Sequence, residues 1–435
     1  MFEKSFCSSP WFHARLTYNG DFQECRWYKH DQPGQNVKDT SLLEFYNSDR
    51  MRALRTDLLD GKTPAGCQDC YYEDSFDKIS GRTRQLMKSG IYNTDFPCTT
   101  RSSPHYKHFK FSQDHNGLAD YHAVDLQIDL GNACNSACIM CDPFSSSQLQ
   151  QEYKKLHKIN HSLFQDPVDY RSWTRDPATL EKFIQELIAI PNLKYIHFLG
   201  GETLYDPAFY TICERLIDAG VAKNIIVGTT TNGTIYDQRV ERLITQFKEF
   251  HLGVSIETVT PLNDYIRYPG KVDVILTNLE KFLALRDQAP LSISLRITPN
   301  IFTINELDQL CEYMIKHQVI AESCNILSEP ECLRIELLPH DIRQRIVGKL
   351  DKIIEKYNLT KTTVGNIRRV DLVPEVIANL VLDYRHFVAT YKKPGDADVH
   401  RTRLIKFLQA FEQSRGNSIL DYAPDYENFL RHYGY

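Results

Sequence analysis

An α/β fold is predicted: a partial (β/α)6 barrel with a small cysteine-rich N-terminal domain ahead of it and helices behind. Three observations carry the prediction. Six β-like runs alternate with helical patterns between residues 122 and 330. Polar residues gather at the ends of those runs. Residues 1–80 instead concentrate cysteines and aromatics. Such alternation encodes parallel strands joined by right-handed crossovers. Six units fall short of the eight that close a full barrel, and a flat doubly wound sheet would give the same alternation.

Taken in order, the N-terminal domain (1–80) carries helical spacing over Asp39–Leu59 and a turn over Gly61–Cys70. Residues 81–121 read as a linker with Pro97, Pro104 and Asn116-Gly117. Its His105, His108 and His115 lack a second ligand group at metal-binding spacing, so a solvated linker is the expectation. Strands are expected at 123–130, 194–199, 224–230, 251–257, 291–298 and 321–327, within a barrel region spanning 122–330. Helices are expected at 178–190, 206–219, 237–247, 271–287 and 304–317, with 143–175 as an elongated first crossover. From 331 to 435 the chain turns helical (339–358, 371–392, 399–414), and the charged stretch KKPGDADVHRTRLIKF reads as a solvated face.

The 435 residues are 42% hydrophobic with a net charge of −5 and well-mixed signs. That is enough for a large core, and it excludes a general nucleic-acid binder. No apolar stretch reaches membrane-spanning length, and the start, MFEKSFCSSPWF, has no apolar core of signal-peptide length. A soluble, cytoplasmic protein is expected. Twelve cysteines in a reducing compartment are not a disulfide set. Cys213, Cys311 and Cys324 read as small buried apolar residues, and Cys98 and Cys332 lie near patterned regions. The 24 tyrosines are spread as packing residues are.

Chemistry gathers at one rim, where parallel β/α architectures place it. The first strand runs into Cys134-x3-Cys138-x2-Cys141, and the second into Gly200-Gly201-Glu202-Thr203. The third ends in Thr229-Thr230-Thr231-Asn232-Gly233, and the fourth carries Ser255 and Glu257. The fifth carries Arg296, Thr298 and Asn300, and the sixth ends in Asn325, Ser328 and Glu329. Gly and Asn also permit ordinary tight turns. Three thiolates can hold three corners of a 4Fe-4S cube and leave the fourth iron open to a ligand.

The cysteine triplet followed by GGE at the next strand end resembles the radical S-adenosylmethionine (SAM) enzymes over roughly residues 122–330. The resemblance implies a partial radical SAM barrel, a catalytic 4Fe-4S cluster on Cys134, Cys138 and Cys141, and SAM chelating the open iron. It implies reductive cleavage to a 5'-deoxyadenosyl radical that abstracts hydrogen from a substrate, with the protein binding, orienting and excluding water. By the same resemblance Gly200, Gly201 and Glu202 meet the methionine end of SAM. Ser255 and Arg267 hold its carboxylate and ribose, and Thr231 and Asn232 line the pocket. Two positions depart from the family's pattern. Met140 stands where an aromatic usually packs near adenine, and Ser255-Ile256-Glu257-Thr258 replaces Ser-x-Asp-Gly.

The other patterned cysteines are Cys7, Cys25, Cys67 and Cys70. Paired cysteines suit tetrahedral zinc, but Cys7 and Cys25 are too far apart for a ribbon loop. Cys7-Ser8-Ser9-Pro10-Trp11, the Gly20–Cys25 stretch, the helical segment and Pro64-x2-Cys67-x2-Cys70 resemble a SPASM/twitch module, here ahead of the barrel instead of behind it. That implies one auxiliary 4Fe-4S cluster, fully ligated and able to accept an electron from a substrate radical.

The expected function is therefore radical SAM chemistry on a peptide, following the tendency of SPASM/twitch relatives. An electron donor such as flavodoxin or ferredoxin is the expected partner, with no membrane or nucleic acid. A small-molecule dehydrogenase or epimerase is the alternative, with Cys324 or Cys332 as hydrogen-atom donor. A non-catalytic zinc-binding interaction protein is the competitor from another class.

Overall fold

The computed structural model describes residues 6–29, 34–75, 80–83, 106–120, 123–167, 172–324, 326–361, 373–391 and 394–435. The strands are β1 (His13–Leu16), β2 (Phe22–Gln23), β3 (Asp125–Asp129), β4 (Tyr195–Leu199), β5 (Ile226–Thr231), β6 (Glu249–Ser255), β7 (Leu291–Ile297) and β8 (Ile320–Cys324). All six expected strands are present as β3–β8, and β1 and β2 are additions. The strand order is β2-β1-β3-β4-β5-β6-β7-β8. From β3 to β8 space follows sequence with no reversal. A doubly wound sheet would need a switch point in that order.

The chain forms two compact units. The first comprises Met1–Gly131, Tyr170–Thr229 and Leu243–Phe250. Here β1 pairs antiparallel with β2 and parallel with β3, and β3, β4 and β5 are successively parallel. The N-terminal cysteine module thus donates a strand to the sheet. Side chains alternate across a strand. Ile128, Ile196 and Phe198 are fully buried, and Phe198 meets Phe209 of the helix Pro207–Asp218 at 5.2 Å. The opposite face carries a polar row in register: Arg15, Gln127, His197. The row ends on Gly228 of β5, where a Cβ would sit 2.3 Å from the Tyr195 hydroxyl, so a larger residue would have to displace that side chain.

The module's core joins Phe6, Trp11, Phe12, Leu54, Leu58, Phe109 and Val124. Trp11 Nε1 donates to Ser112 Oγ at 2.8 Å. Arg55, fully buried, donates to the carbonyls of Pro10 (2.9 Å), Gly117 (3.1 Å) and Tyr46 (2.7 Å), so one guanidinium ties three segments. Phe109 and Ser112 belong to the helix Tyr106–Asp114, which lies in the stretch expected to be a solvated linker. His108 Nδ1 meets the Asp120 carboxylate at 2.9 Å. Residues 84–105, with Cys98 and His105, lie outside the described residues. The single helix expected over Asp39–Leu59 is two, Leu42–Tyr46 and Asp49–Leu59. Ser41 and Ser48 each accept a backbone N–H as caps, and the second cap restarts the helix.

The second unit comprises Asn132–Asp169, Thr230–Arg242 and His251–Tyr435. In it β7 and β8 are parallel. Its helices include Ser147–Ile159, Val272–Arg286, Leu307–His317, His340–Tyr357, Val373–Thr390 and Ala397–Arg415. The last of these packs on the first crossover: Phe407 and Phe411 lie 5.6 and 5.7 Å from the Phe164 ring. The stretch expected to be a solvated face holds Arg401, which is buried and donates to the Leu337 carbonyl at 2.8 Å. Among the described residues no helix is long and apolar enough to cross a membrane.

Candidate metal centres

The loop after β3 carries Cys134, Cys138 and Cys141. Cys134 and Cys138 are buried, and Cys141 is partly so. Its backbone is fixed from several sides. Ala137 N–H donates to the Tyr268 carbonyl at 2.6 Å and Ile139 N–H to the Ile266 carbonyl at 2.9 Å. Cys134 N–H donates to Ser147 Oγ at 3.1 Å. Asn232 Nδ2 donates to Asn135 Oδ1 (2.7 Å) and Ser136 Oγ (2.9 Å), while its Oδ1 accepts from Thr234 N–H at 3.0 Å. Asn232 therefore supports the cysteine loop. Its neighbour Thr231 accepts the Gly233 N–H at 3.1 Å.

The thiols are near enough to act on one another. Burial pushes Cys141 up to about 12, and Cys138 and Cys134 push it the same way. Burial also raises Cys138, opposed by the positive charges of Arg267 and Arg415. Backbone N–H groups already point at sulfur. Ser136 N–H donates to Cys134 Sγ at 3.4 Å, and the Asp142 amide lowers Cys141 by hydrogen bonding. Such bonds stabilise thiolate bound to iron.

Arg267 is almost fully buried and stands beside these cysteines, whose negative forms hold its charge on against the cost of burial. Its Nη1 donates to Glu257 Oε1 at 2.9 Å, and Glu257 Oε2 accepts the Thr298 N–H at 2.7 Å. Arg267 Nε is buried without a hydrogen-bond partner. The acid that replaces the family's aspartate thus reaches Arg267 directly. Met140 Sδ, partly buried, lies 3.7 Å from Asn300 Nδ2. Ser255, also partly buried, ends β6.

Burial pushes Glu257 up to about 7 from 4.5, with Arg267 and the Thr298 amide pulling it back. The folded value is raised, so this group's contribution to stability is full below 4.5 and is lost as pH rises through about 7. The stability difference between wild type and Glu257→Gln should fall over that window by up to about 3 kcal/mol. Urea unfolding of both proteins across the window checks this, and parallel stability curves would contradict it.

In the first unit, Gly200 and Gly201 meet the end of β3. Gly201 N–H donates to the Gly131 carbonyl at 2.8 Å, and a Cβ on Gly200 would lie 3.0 Å from that oxygen. The missing Cβ of Gly200 serves this close backbone approach. Glu202 is buried, and its Oε1 accepts the Leu204 N–H at 3.0 Å.

Cys7, Cys25, Cys67 and Cys70 line one cavity together with Tyr28 and Tyr71. Burial raises all four thiols, and Cys7 feels each of the other three. Backbone N–H groups hydrogen-bond three of them: Ser9 to Cys7, Trp27 and Tyr28 to Cys25, and Arg82 and Gly81 to Cys70. Among the described residues, no three His, Cys, Asp or Glu side chains converge as a single metal ion requires. Zinc draws its thiolates to ~2.3 Å. Four thiols lining one cavity, with backbone amides aimed at sulfur, suit an iron-sulfur cluster.

Sequence reasoning missed Arg415, which donates to the Ala137 carbonyl inside the cysteine loop at 2.6 Å. Glu331 is paired with Arg334, His400 and Arg403. Cys213 and Cys311 are fully buried, as expected of small core residues. Asn325 lies outside the described residues.

Compared with known proteins, residues 128–313 match the radical SAM superfamily and residues 7–71 match an iron-sulfur cluster-binding domain, SPASM. No curated protein matches the chain. Similar solved structures include native anSMEcpe with bound AdoMet (15% identity, TM-score 0.37, covering 54% of this chain and 62% of that one). Another is Streptococcus suis SuiB bound to precursor peptide SuiA (12% identity, TM-score 0.36, covering 81% and 70%). This chain thus spans less than two thirds of the length of the first.

Proposed function

We propose that this chain, a radical SAM enzyme carrying an iron-sulfur cluster-binding module ahead of its β/α region, abstracts a hydrogen atom from a peptide substrate. The observation that carries this reading is the loop of three mutually interacting thiols beside Arg267, a buried guanidinium with one nitrogen unpartnered. When bound, the cluster and SAM supply one electron and a 5'-deoxyadenosyl radical. Cys134, Cys138 and Cys141 are the residues that would hold the catalytic 4Fe-4S cluster. Arg267 offers a free N–H for a carboxylate or ribose oxygen, with Glu257 fixing its orientation. Ser255, Met140 and Thr231 are assigned to the SAM pocket as well, with Asn232 acting chiefly by holding the backbone of the cysteine loop.

Cys7, Cys25, Cys67 and Cys70 would hold one auxiliary 4Fe-4S cluster with no protein-free iron. That arrangement suits taking an electron from a substrate radical, and so net oxidation. The peptide assignment follows the tendency of SPASM/twitch relatives. A flavodoxin or ferredoxin is the electron donor we assign. Anaerobic incubation with SAM, a reductant and uniformly deuterated candidate peptides tests the reading. Deuterium should appear in 5'-deoxyadenosine with a matching mass change in the peptide. Deuterium transferred from small alcohols or sugars but from no peptide would overturn the substrate class.

A further inference from the structure

The C-terminal helix Ala397–Arg415 ends in a side chain that no mechanism above uses. Arg415 is 1% exposed, and its partner Glu152, from the helix Ser147–Ile159, is 10% exposed. Their pairing is bidentate: Nε to Oε1 at 2.9 Å and Nη2 to Oε2 at 2.6 Å. The same Nη2 donates to the Ala137 carbonyl at 2.6 Å, between Cys134 and Cys138. Nη1 reaches the Tyr265 carbonyl at 3.5 Å. The guanidinium also stacks over Tyr268 and Phe411, each 4.5 Å from the ring centroid. Tyr268 in turn accepts the Ala137 N–H, so Arg415 holds both partners of the bond that fixes the middle of the loop.

We propose that Arg415 and Glu152 form a buried, charge-balanced clamp that positions the cysteine loop and sets the reduction potential of the cluster held there. Glu152 cancels most of the Arg415 charge, and the balance decides how easily an electron enters. A positive charge left nearby favours the reduced cluster, and a negative one disfavours it. Burial makes either imbalance felt, because little water screens it. The inference rests on the loop being a cluster site, which Cys134→Ala tests separately through loss of about four irons.

The test is an EPR-monitored redox titration of reconstituted protein, with iron counted in parallel. Arg415→Met leaves Glu152 unbalanced and should lower the midpoint potential. Glu152→Gln leaves Arg415 unbalanced and should raise it. Each shift should be about tenfold in the reduction equilibrium, ~59 mV for one electron. The double variant should return toward wild type. A structural role alone would not move the two single variants in opposite directions. Where Arg415→Met fails to hold its cluster, Arg415→Lys, which keeps the charge, should stay near the wild-type potential while Glu152→Gln rises. With iron content intact, single variants that shift together, or a Glu152→Gln protein with an unchanged potential, would overturn the proposal.

Discussion

Replacing Cys134 with alanine is expected to abolish SAM cleavage completely while leaving about four of about eight irons bound. The loop that carries Cys134 does not depend on its sulfur for shape. Ala137 and Ile139 donate to the 266–268 segment, Asn232 holds Asn135 and Ser136, and Ser147 receives the Cys134 amide. An alanine therefore removes a metal ligand and the Ser136 N–H···S contact, and leaves these backbone anchors. Circular dichroism and unfolding should be close to wild type in the apo-protein. Iron and acid-labile sulfide analysis, with chromatography for 5'-deoxyadenosine, checks the result. Full iron content, or cleavage at the wild-type rate, would contradict it.

Trp11→Ala is expected to destabilise the N-terminal module by about 3–5 kcal/mol and to cost the auxiliary iron. Trp11 is fully buried, lies 5.4 Å from Phe6 and 5.1 Å from Phe109, and donates to Ser112. Its carbonyl accepts the Tyr46 hydroxyl, so the ring anchors a point where several segments meet. Cys7 stands four residues earlier, against the same core. Loss of packing here loosens the helical turn Ser9–Phe12 that leads into β1 and the position of the first thiol. Denaturant unfolding monitored by fluorescence and iron analysis measures both effects. A cost below about 1 kcal/mol, or an unchanged auxiliary iron count, would contradict the expectation.

The β/α alternation was legible because each strand and helix is long enough to show its period, and the cysteine triplet because its spacing is local. β1 and β2 escaped notice for the opposite reason. HARL and FQ are too short to show alternation, and their place is set by pairing with Asp125–Ile128 and by the hairpin. The helix Tyr106–Asp114 was hidden by its polar composition, since its burial rests on Phe109, His108 and Ser112 meeting a distant core. Arg415 lies 278 residues from the carbonyl it holds, a separation that no local pattern records. Asn232 and Gly200-Gly201 were legible as special residues. Their backbone work was not, because it depends on which loops the sheet brings together. The Glu257–Arg267 pair was foreshadowed only by the longer acid at a position where the family carries aspartate.

The most direct measurement is the EPR spectrum of the anaerobically reconstituted, reduced protein, recorded with and without SAM. The signal lost in Cys134→Ala should shift when SAM is added, while the signal from the Cys7, Cys25, Cys67 and Cys70 site stays unchanged. A spectrum that SAM leaves untouched would mean that no iron in the Cys134 loop is open to it, and the proposed chemistry would not stand.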